Sequence, residues 1–178
     1  MSTQILLLRG INVGGNRILP MKDLKELLLS MGLRNVKTYI RSGNVVFDDP
    51  DEHGAKLGDE IGTSIEGQFG FRPHSLLLGA DDLREAAEAN PFPEAEAAPQ
   101  RLHLFFLGAV PDEPDVEKLE SVKSPSERFA LTDHAFYLHA PDGIGRSKLA
   151  ANVERILGVP ATARNWRTVM KLLEMIRS

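Results

Sequence analysis

The order of predicted elements indicates an α+β protein built from two tandem ferredoxin-like (βαββαβ-type) subdomains packed together. In the first half, runs typical of a strand, a helix, two strands, a helix and a strand follow one another, and a trailing helix ends the series. The second half repeats this order without visible sequence identity. The chain length of 178 residues, 42% of them apolar, suits one compact domain or two small halves that share a core.

The first half begins with the apolar run "TQILLLRG", whose short length predicts a buried strand. Pro20 and Gly32 mark the start and the end of a helix. Two strands, "NVKTYIR" and "NVVFD", come next, and the Ser42-Gly43 pair between them predicts a tight hairpin. A second helix is expected over 51–69, followed by the strand "RPHSLLLG" and the helix "DLREAAEAN".

The second half supplies the same series in "RLHLFFLG", "EPDVEKLESV", "SERFALTD", "AFYLHA", "RSKLAANVERILG", "PATAR" and "NWRTVMKLLEMIR". We therefore expect a first subdomain with trailing helix and linker over 1–97 and a second subdomain with the C-terminal helix over 98–178. The segment at 90–100, "NPFPEAEAAPQ", is rich in Pro, Ala and Glu and predicts a mobile connection rather than packed structure.

The composition limits the compartment and the chemistry. No apolar run approaches the roughly 18–20 residues that cross a bilayer, and the N-terminal sequence has no basic segment or small-residue cleavage site typical of a secretory signal. Cysteine is absent, which excludes disulfides, thiolate metal sites and cysteine nucleophiles. The sequence therefore predicts a cytoplasmic protein with no membrane partner.

The charge distribution is more informative than the net charge of −4. Residues 1–47 hold seven Lys or Arg against two acidic residues, and residues 141–178 hold seven against three. The middle of the chain, 48–140, has 20 acidic residues against 7 basic ones. If the two basic ends meet in the fold, a local positive field can exist on an acidic protein, which favours an anionic partner.

Four segments combine glycine or a helix start with basic and polar residues: "RGINVGG", "RSGNVVF", "GIGRSKL" and "TARNWRTVMKL". Together with "NPF" at 90–92, they resemble the pattern of the DUF1697 family of uncharacterised proteins, in the same order and over almost the full length. The resemblance implies two ferredoxin-like subdomains, in agreement with the repeat of elements. It implies no activity, because none is established for the family.

The glycines of "RGINVGG" permit positive φ angles and can expose consecutive backbone N–H groups, which cradle anions in many loops. A nucleotide P-loop is excluded because Asn16 and Arg17 stand where that loop needs a lysine and a hydroxyl residue. Two interpretations stay open: a structural turn between strand and helix, and an anion-facing loop.

The first and third strands of a ferredoxin-like sheet are expected to run side by side and antiparallel. The C-terminal end of the first strand then meets the N-terminal end of the third, so Arg9 and Asn44 should lie near each other. Arg41 would present a second charge at the same edge. Ser42 and its neighbours are also typical of a plain hairpin turn, and this alternative stays open.

Two helix starts in the second half carry the remaining candidates. Arg146 and Lys148 open a helix where positive charge opposes the helix dipole, and a bound anion would offset that cost. Asn165 is a natural N-cap. The single tryptophan, Trp166, either seals the join between the subdomains or, flanked by arginines, offers a platform on which a base stacks.

We predict that the chain binds a phosphorylated small molecule, a nucleotide or a short single-stranded nucleic acid at a basic site formed by the N- and C-terminal motifs. The predicted ligand-binding residues are Arg9, Gly10, Asn12, Gly14, Gly15, Arg41, Ser42, Asn44, Arg146, Lys148, Arg164, Asn165 and Trp166. The alternatives are a protein-interaction or assembly module whose motifs are structural only, and an enzyme that acts on an anionic substrate.

Catalytic residues are not identifiable from the sequence. The five histidines are scattered, no carboxylate pair stands out, and the G-x-S-x-G signature of serine hydrolases is missing. The sequence accordingly predicts no cofactor and no metal site, and it leaves open whether the protein is an enzyme.

Overall fold

The computed structural model describes residues 1–177. Across these residues it contains two four-stranded antiparallel sheets and six α-helices, which confirms the predicted α+β class. The chain divides into two compact units. The first unit comprises Met1–Arg84 together with the chain from Lys171 onward, and the second unit comprises Glu85–Met170.

The first unit is built around a sheet with the strand order β2-β3-β1-β4. Its elements are β1 (Ser2–Arg9), α1 (Met21–Ser30), β2 (Arg34–Tyr39), β3 (Asn44–Asp49), α2 (Leu57–Phe69) and β4 (His74–Gly79), followed by α3 (Ala80–Glu88), which extends across the division into the second unit.

The apolar run of β1 explains the centre of this unit. Ile5, Leu6, Leu7 and Leu8 are all fully buried, since β1 pairs with β3 on one side and with β4 on the other. Side chains alternate between the two faces of a strand. Leu6 and Leu8 therefore pack into one core with residues of α1 and α2. Ile5 and Leu7 face the opposite side of the sheet.

The second unit repeats the pattern with the strand order β6-β7-β5-β8. Its elements are β5 (Leu102–Leu107), α4 (Val116–Val122), β6 (Arg128–Leu131), β7 (Ala135–His139), α5 (Lys148–Leu157), β8 (Ala161–Asn165) and α6 (Trp166–Arg177), whose last part belongs to the first unit. Each sheet lies on its own side of the boundary predicted after residue 97, and that boundary stays a prediction.

Three local expectations are corrected by the structure. The hairpin between β2 and β3 is a four-residue loop, 40–43, because Tyr39 pairs with Asn44. The helix expected over 51–69 begins as a 3-10 turn at Gly54–Lys56 and becomes α-helical at Leu57.

The third correction concerns the segment 90–100, which is packed structure. It forms a 3-10 turn over Pro93–Ala97, and the side chains of Phe92 and Ala95 are buried. The predicted mobile connection is wrong here because these two apolar side chains find a place in the second unit. Among residues 1–177, no helix is long and apolar enough to cross a membrane.

Candidate anion-binding site

The segment 10–19, called the glycine loop below, is a compact structure between β1 and α1. Five of its residues have positive φ angles, namely Gly10, Asn12, Gly14, Gly15 and Arg17. The backbone N–H of Asn16 donates to the carbonyl of Val13 over 3.1 Å, and that of Asn12 donates to the carbonyl of Arg17 over 3.1 Å. The loop therefore forms a small hairpin of its own, which a direct strand-to-helix turn would not contain.

The side chain of Asn12 holds this hairpin in place. Its Oδ1 accepts the backbone N–H of Leu19 over 2.8 Å, and its Nδ2 donates to the carbonyl of Leu19 over 2.9 Å. The same Nδ2 donates to the carbonyl of Arg41 over 2.8 Å. The amide thus mimics a strand partner for Leu19 and joins the glycine loop to the β2–β3 loop.

The β2–β3 loop meets the end of β1 as the sequence predicts. Leu7 pairs with Asn44, and the backbone N–H of Leu8 donates to the carbonyl of Gly43 over 2.8 Å. Asn44 is fully buried, and its Nδ2 donates to the carbonyl of Tyr39 and to Oγ of Ser42 over 3.1 and 3.0 Å. The amide of Asn44 therefore stabilises the β2–β3 loop by bonding to the residue before it and to a side chain within it.

Three arginines, called the arginine cluster below, are carried by this scaffold: Arg9, Arg17 and Arg41. Arg9 is half-buried at the end of β1, whereas Arg17 and Arg41 are exposed. The Nη1 atom of Arg17 is 3.6 Å from the position that a Cβ on Gly10 would occupy, so its guanidinium lies over the residue next to Arg9. The stretches 9–22 and 27–47 contain no acidic residue.

Exposed apolar side chains accompany the arginines. Val13 is 69%, Ile18 58% and Ile40 52% exposed. Ile40 also has a φ of 49°, a conformation that is strained for a β-branched residue and that is often found at functional sites. No sequence pattern indicated these three residues, although "NV" and "RIL" place Val13 and Ile18 on either side of the glycine pair.

In the second unit, the start of α5 carries another basic group. Ser147 caps the helix by accepting the N–H of Ala150 on its Oγ over 2.9 Å, and Arg146 and Lys148 are exposed on either side of it. Arg101, which no sequence signal indicated, lies beside the preceding turn. Its Nη1 is 2.6 Å from the position of a Cβ on Gly143, so a side chain at that position would displace the guanidinium.

The remaining predicted residues serve the interior of the second unit. Asn165 caps α6 as predicted, since its Oδ1 accepts the N–H of Thr168 over 3.0 Å. Trp166 is 3% exposed, and a base cannot stack on an indole that is covered in this way. Arg164 donates to the carbonyl of Ala163, and burial lowers the pKa of its guanidinium to about 10. The expectation of an exposed stacking platform is therefore wrong.

The "NPF" segment also has a packing role. The guanidinium carbon of Arg128 lies 4.8 Å from the centroid of the Phe92 ring, and Arg128 donates to Nδ1 of His139 over 3.1 Å. Glu94 pairs with the same guanidinium, and the hydrogen bond from Arg128 lowers the pKa of the Glu94 carboxyl. Burial, assisted by the charge of Arg128, lowers the pKa of His139, so its neutral ring is available as an acceptor.

Comparisons with known proteins support the fold and assign no activity. The model of the family described as "Protein of unknown function (DUF1697)" matches residues 1–137. The solved structure of a conserved bacterial protein from Streptococcus pneumoniae is similar to this chain, with 25% sequence identity, a TM-score of 0.71 and 98% of each chain covered. No match is found among curated proteins.

Proposed function

The chain belongs to the DUF1697 family, and from this premise we propose that it binds the phosphate group of a small molecule, a nucleotide or a short single-stranded nucleic acid at the arginine cluster. The observation that carries the proposal is the joining of two loops by Asn12, which brings the backbone of Arg41 to the glycine loop that carries Arg17. Arg146 and Lys148 are exposed in the second unit, and their part in anion binding stays a prediction from the sequence.

Electrostatics favours an anion at this position. Guanidinium groups form bidentate, charge-assisted hydrogen bonds with phosphate oxygens, each contributing about 1.5–3 kcal/mol. A rigid loop loses less conformational entropy on binding than a flexible one, and the glycine loop is held by its own backbone hydrogen bonds and by the amide of Asn12. The cluster is largely exposed, so added salt should weaken the interaction.

We also infer that each sheet, with the two helices between its strands, is a ferredoxin-like subdomain. The support is the shared order of elements and the strand order, in which the first strand of each sheet lies between the third and the fourth. This arrangement puts the end of β1 beside the start of β3, where the arginine cluster lies.

Isothermal titration calorimetry at low and high salt tests the proposal. The ligands are inorganic phosphate, pyrophosphate, a nucleoside triphosphate and a short single-stranded RNA, and the variants are Arg17→Ala and Arg41→Ala. Arg34→Ala is a matched control because Arg34 is exposed at the opposite end of β2. Each cluster variant should weaken binding by about tenfold or more, whereas the control should bind like the parent.

The outcomes distinguish the ligand classes. A preference for pyrophosphate or triphosphate over phosphate indicates a nucleotide or a diphosphate ester, and tighter binding of RNA with a steep salt dependence indicates a nucleic acid. If all ligands bind the cluster variants as they bind the parent protein, the arginine cluster is not the site.

A second candidate function is protein interaction, and the exposed Val13, Ile18 and Ile40 favour it. Apolar side chains surrounded by arginines are typical of interface centres, and phosphate binding does not require them. Val13→Ser with Ile18→Ser should leave phosphate affinity unchanged. If this double variant alone abolishes association with a cellular partner, the loop surface is primarily a docking site for protein.

A further inference from the structure

A polar cleft of about 320 Å³ lies in the first unit, at the end of β1 remote from the glycine loop. Strands β1, β2 and β3 form its floor, and the end of α6 forms a wall. Its lining residues are Thr3, Asn35, Lys37, Val46, Phe47, Asp48, Met175, Ile176 and Arg177. A volume near 300 Å³ suits a small molecule of few heavy atoms.

Two hydrogen bonds fix the orientation of the Asp48 carboxylate in this cleft. Its Oδ1 accepts the hydroxyl of Thr3 over 2.8 Å, and its Oδ2 accepts Nδ2 of Asn35 over 2.7 Å. Each carboxylate oxygen has two lone-pair positions, so both keep capacity for a further donor. The two side chains that hold Asp48, those of Thr3 and Asn35, are neutral donors.

An irregularity in β2 brings Asn35 to the carboxylate of Asp48. The pairing of β2 with β3 shifts register between Arg34 and Lys37, and Asn35 within this bulge has a φ of 51°. Bulges of this kind redirect a side chain, and they are over-represented next to binding sites. The redirected Asn35 reaches Asp48 on the neighbouring strand.

The other walls supply positive charge and apolar surface. Lys37 and Arg177 contribute two cations, from β2 and from the last turn of α6. Ile176 is half-buried and contributes accessible apolar surface. A ligand that matches all of these features carries an ammonium group for Asp48, a carboxylate for the cations and a small apolar body.

We propose that this cleft binds a free amino acid with an apolar side chain as its zwitterion. The α-ammonium group donates to the carboxylate of Asp48, the α-carboxylate lies toward Lys37 and Arg177, and the side chain packs against Ile176. The site is independent of the arginine cluster. Thr3 and Arg9 lie at opposite ends of β1, separated by about 20 Å at 3.3 Å per residue.

NMR titration of the ¹⁵N-labelled full-length chain with L-leucine, L-methionine and L-phenylalanine tests this site. We expect saturable shifts of the backbone amides of Thr3, Val46 and Asp48. The matched ligands are 4-methylpentanoate, which lacks the ammonium group of leucine, and 3-methylbutylamine, which lacks its carboxylate. Each should bind at least about tenfold more weakly than leucine, because one charged contact is lost.

Substitutions in the protein test the same contacts by removing the charged side chains of the cleft. Asp48→Asn should weaken leucine binding by about tenfold, and Arg177→Gln should weaken leucine more than 3-methylbutylamine. Arg17→Ala, at the glycine loop, is the control and should bind leucine like the parent protein. Arg177 is exposed in the last turn of a helix, so its variant should keep the fold if Asp48→Asn does not.

Several results would overturn the proposal. They are the absence of saturable shifts with all three amino acids, equal affinity for leucine and 4-methylpentanoate, and shifts confined to the amides of the glycine loop. A folded Asp48→Asn variant with unchanged leucine affinity would overturn it as well.

Discussion

The side-chain amide of Asn12 donates a hydrogen bond of 2.8 Å to the backbone carbonyl of Arg41, 29 residues further along the chain. This bond joins the loop that follows β1 to the loop between β2 and β3. It fixes the glycine loop against the β2–β3 loop, and the positions of two exposed arginines depend on it. The most constrained polar residue of the candidate site is therefore a scaffold residue, and the charges that it positions face solvent.

Replacement of Asn12 by Ala should destabilise the first unit and weaken anion binding together. The change leaves the N–H and carbonyl of Leu19 and the carbonyl of Arg41 without their partner, which should cost about 2 kcal/mol of unfolding free energy. Chemical denaturation measures this loss. Asn16→Ala is the matched control, since Asn16 is exposed in the same loop. Equal stability of the two variants would contradict the scaffold role of Asn12.

Gly43 should tolerate no side chain. Its φ is 81°, and a Cβ on it would lie 2.5 Å from Cβ of Leu8, which is itself fully buried. Gly43→Ala should therefore lower the unfolding free energy by about 3 kcal/mol, from steric overlap and from backbone strain.

The control substitution is expected to change the unfolding free energy in the opposite direction. Gly67 lies inside α2, and a Cβ there meets nothing within 4 Å. Gly67→Ala should raise the unfolding free energy by up to about 1 kcal/mol, because alanine has the higher helix propensity. Thermal unfolding of both variants compares their stabilities. A Gly43→Ala variant as stable as the parent protein would show that the β2–β3 loop can move away from Leu8 of β1.

The sequence was sufficient to predict the features that depend on local pattern. The apolar run of β1, the N-cap at Asn165 and the meeting of the end of β1 with the start of β3 all follow from periodicity, capping chemistry and strand direction. The burial of Trp166 does not follow, because an indole between two arginines is compatible with both an exposed and a covered position.

The parts of the site that escaped prediction depend on contacts between distant residues. The bond between Asn12 and Arg41 joins positions that no spacing rule connects. Asp48 reads in the sequence as the first of several acidic residues at the end of a strand, and only the bulge that turns Asn35 toward it reveals a cleft. Arg101 likewise acquires its position from the turn at Gly143.

The pair formed by Asp49 and His53 should make stability depend on pH at the start of α2. Oδ1 of Asp49 lies 2.7 Å from Nδ1 of His53, and Oδ2 accepts the backbone N–H of the same residue over 2.8 Å. Burial alone would raise the pKa of Asp49, but these hydrogen bonds outweigh it and lower the pKa below 3.8. The hydrogen bond to Asp49 raises the pKa of His53 above 6.5.

The pKa shifts of Asp49 and His53 define the pH range in which the pair stabilises the protein. The contribution of His53 is fully present below pH 6.5 and is lost as pH rises through its raised folded pKa, whereas that of Asp49 is present above pH 3.8 and is lost as pH falls through its lowered folded pKa. His53→Gln should therefore destabilise the protein more at about pH 5.5 than at about pH 9. His74→Gln, on the exposed side of β4, is the control. A penalty independent of pH would refute the ion pair.

The fluorescence of the single tryptophan should report a covered indole. Since Trp166 is 3% exposed, its emission should be blue-shifted in the native protein and poorly quenched by acrylamide, and it should shift to the red on unfolding. Strong quenching of the native protein by acrylamide would contradict the burial of Trp166.

His103 should destabilise the second unit at acid pH. The residue is 6% exposed, and within the described residues its Nδ1 has no hydrogen-bond partner. Burial lowers its pKa to about 4, although a hydrogen bond with the backbone of Arg101 acts in the opposite direction. The unfolded chain therefore takes up a proton near pH 6.5, whereas the folded chain does so only near pH 4.

Because the unfolded state binds this proton first, stability should fall by about 3 kcal/mol as pH decreases through that interval. Chemical denaturation between about pH 7.5 and about pH 4 measures the slope. His103→Gln keeps a polar side chain of similar size that does not titrate, so it should remove most of this dependence. His134→Gln, at an exposed position before β7, should retain it. If both variants keep the slope of the parent protein, other groups cause the acid sensitivity and the imidazole of His103 is accommodated in its charged form.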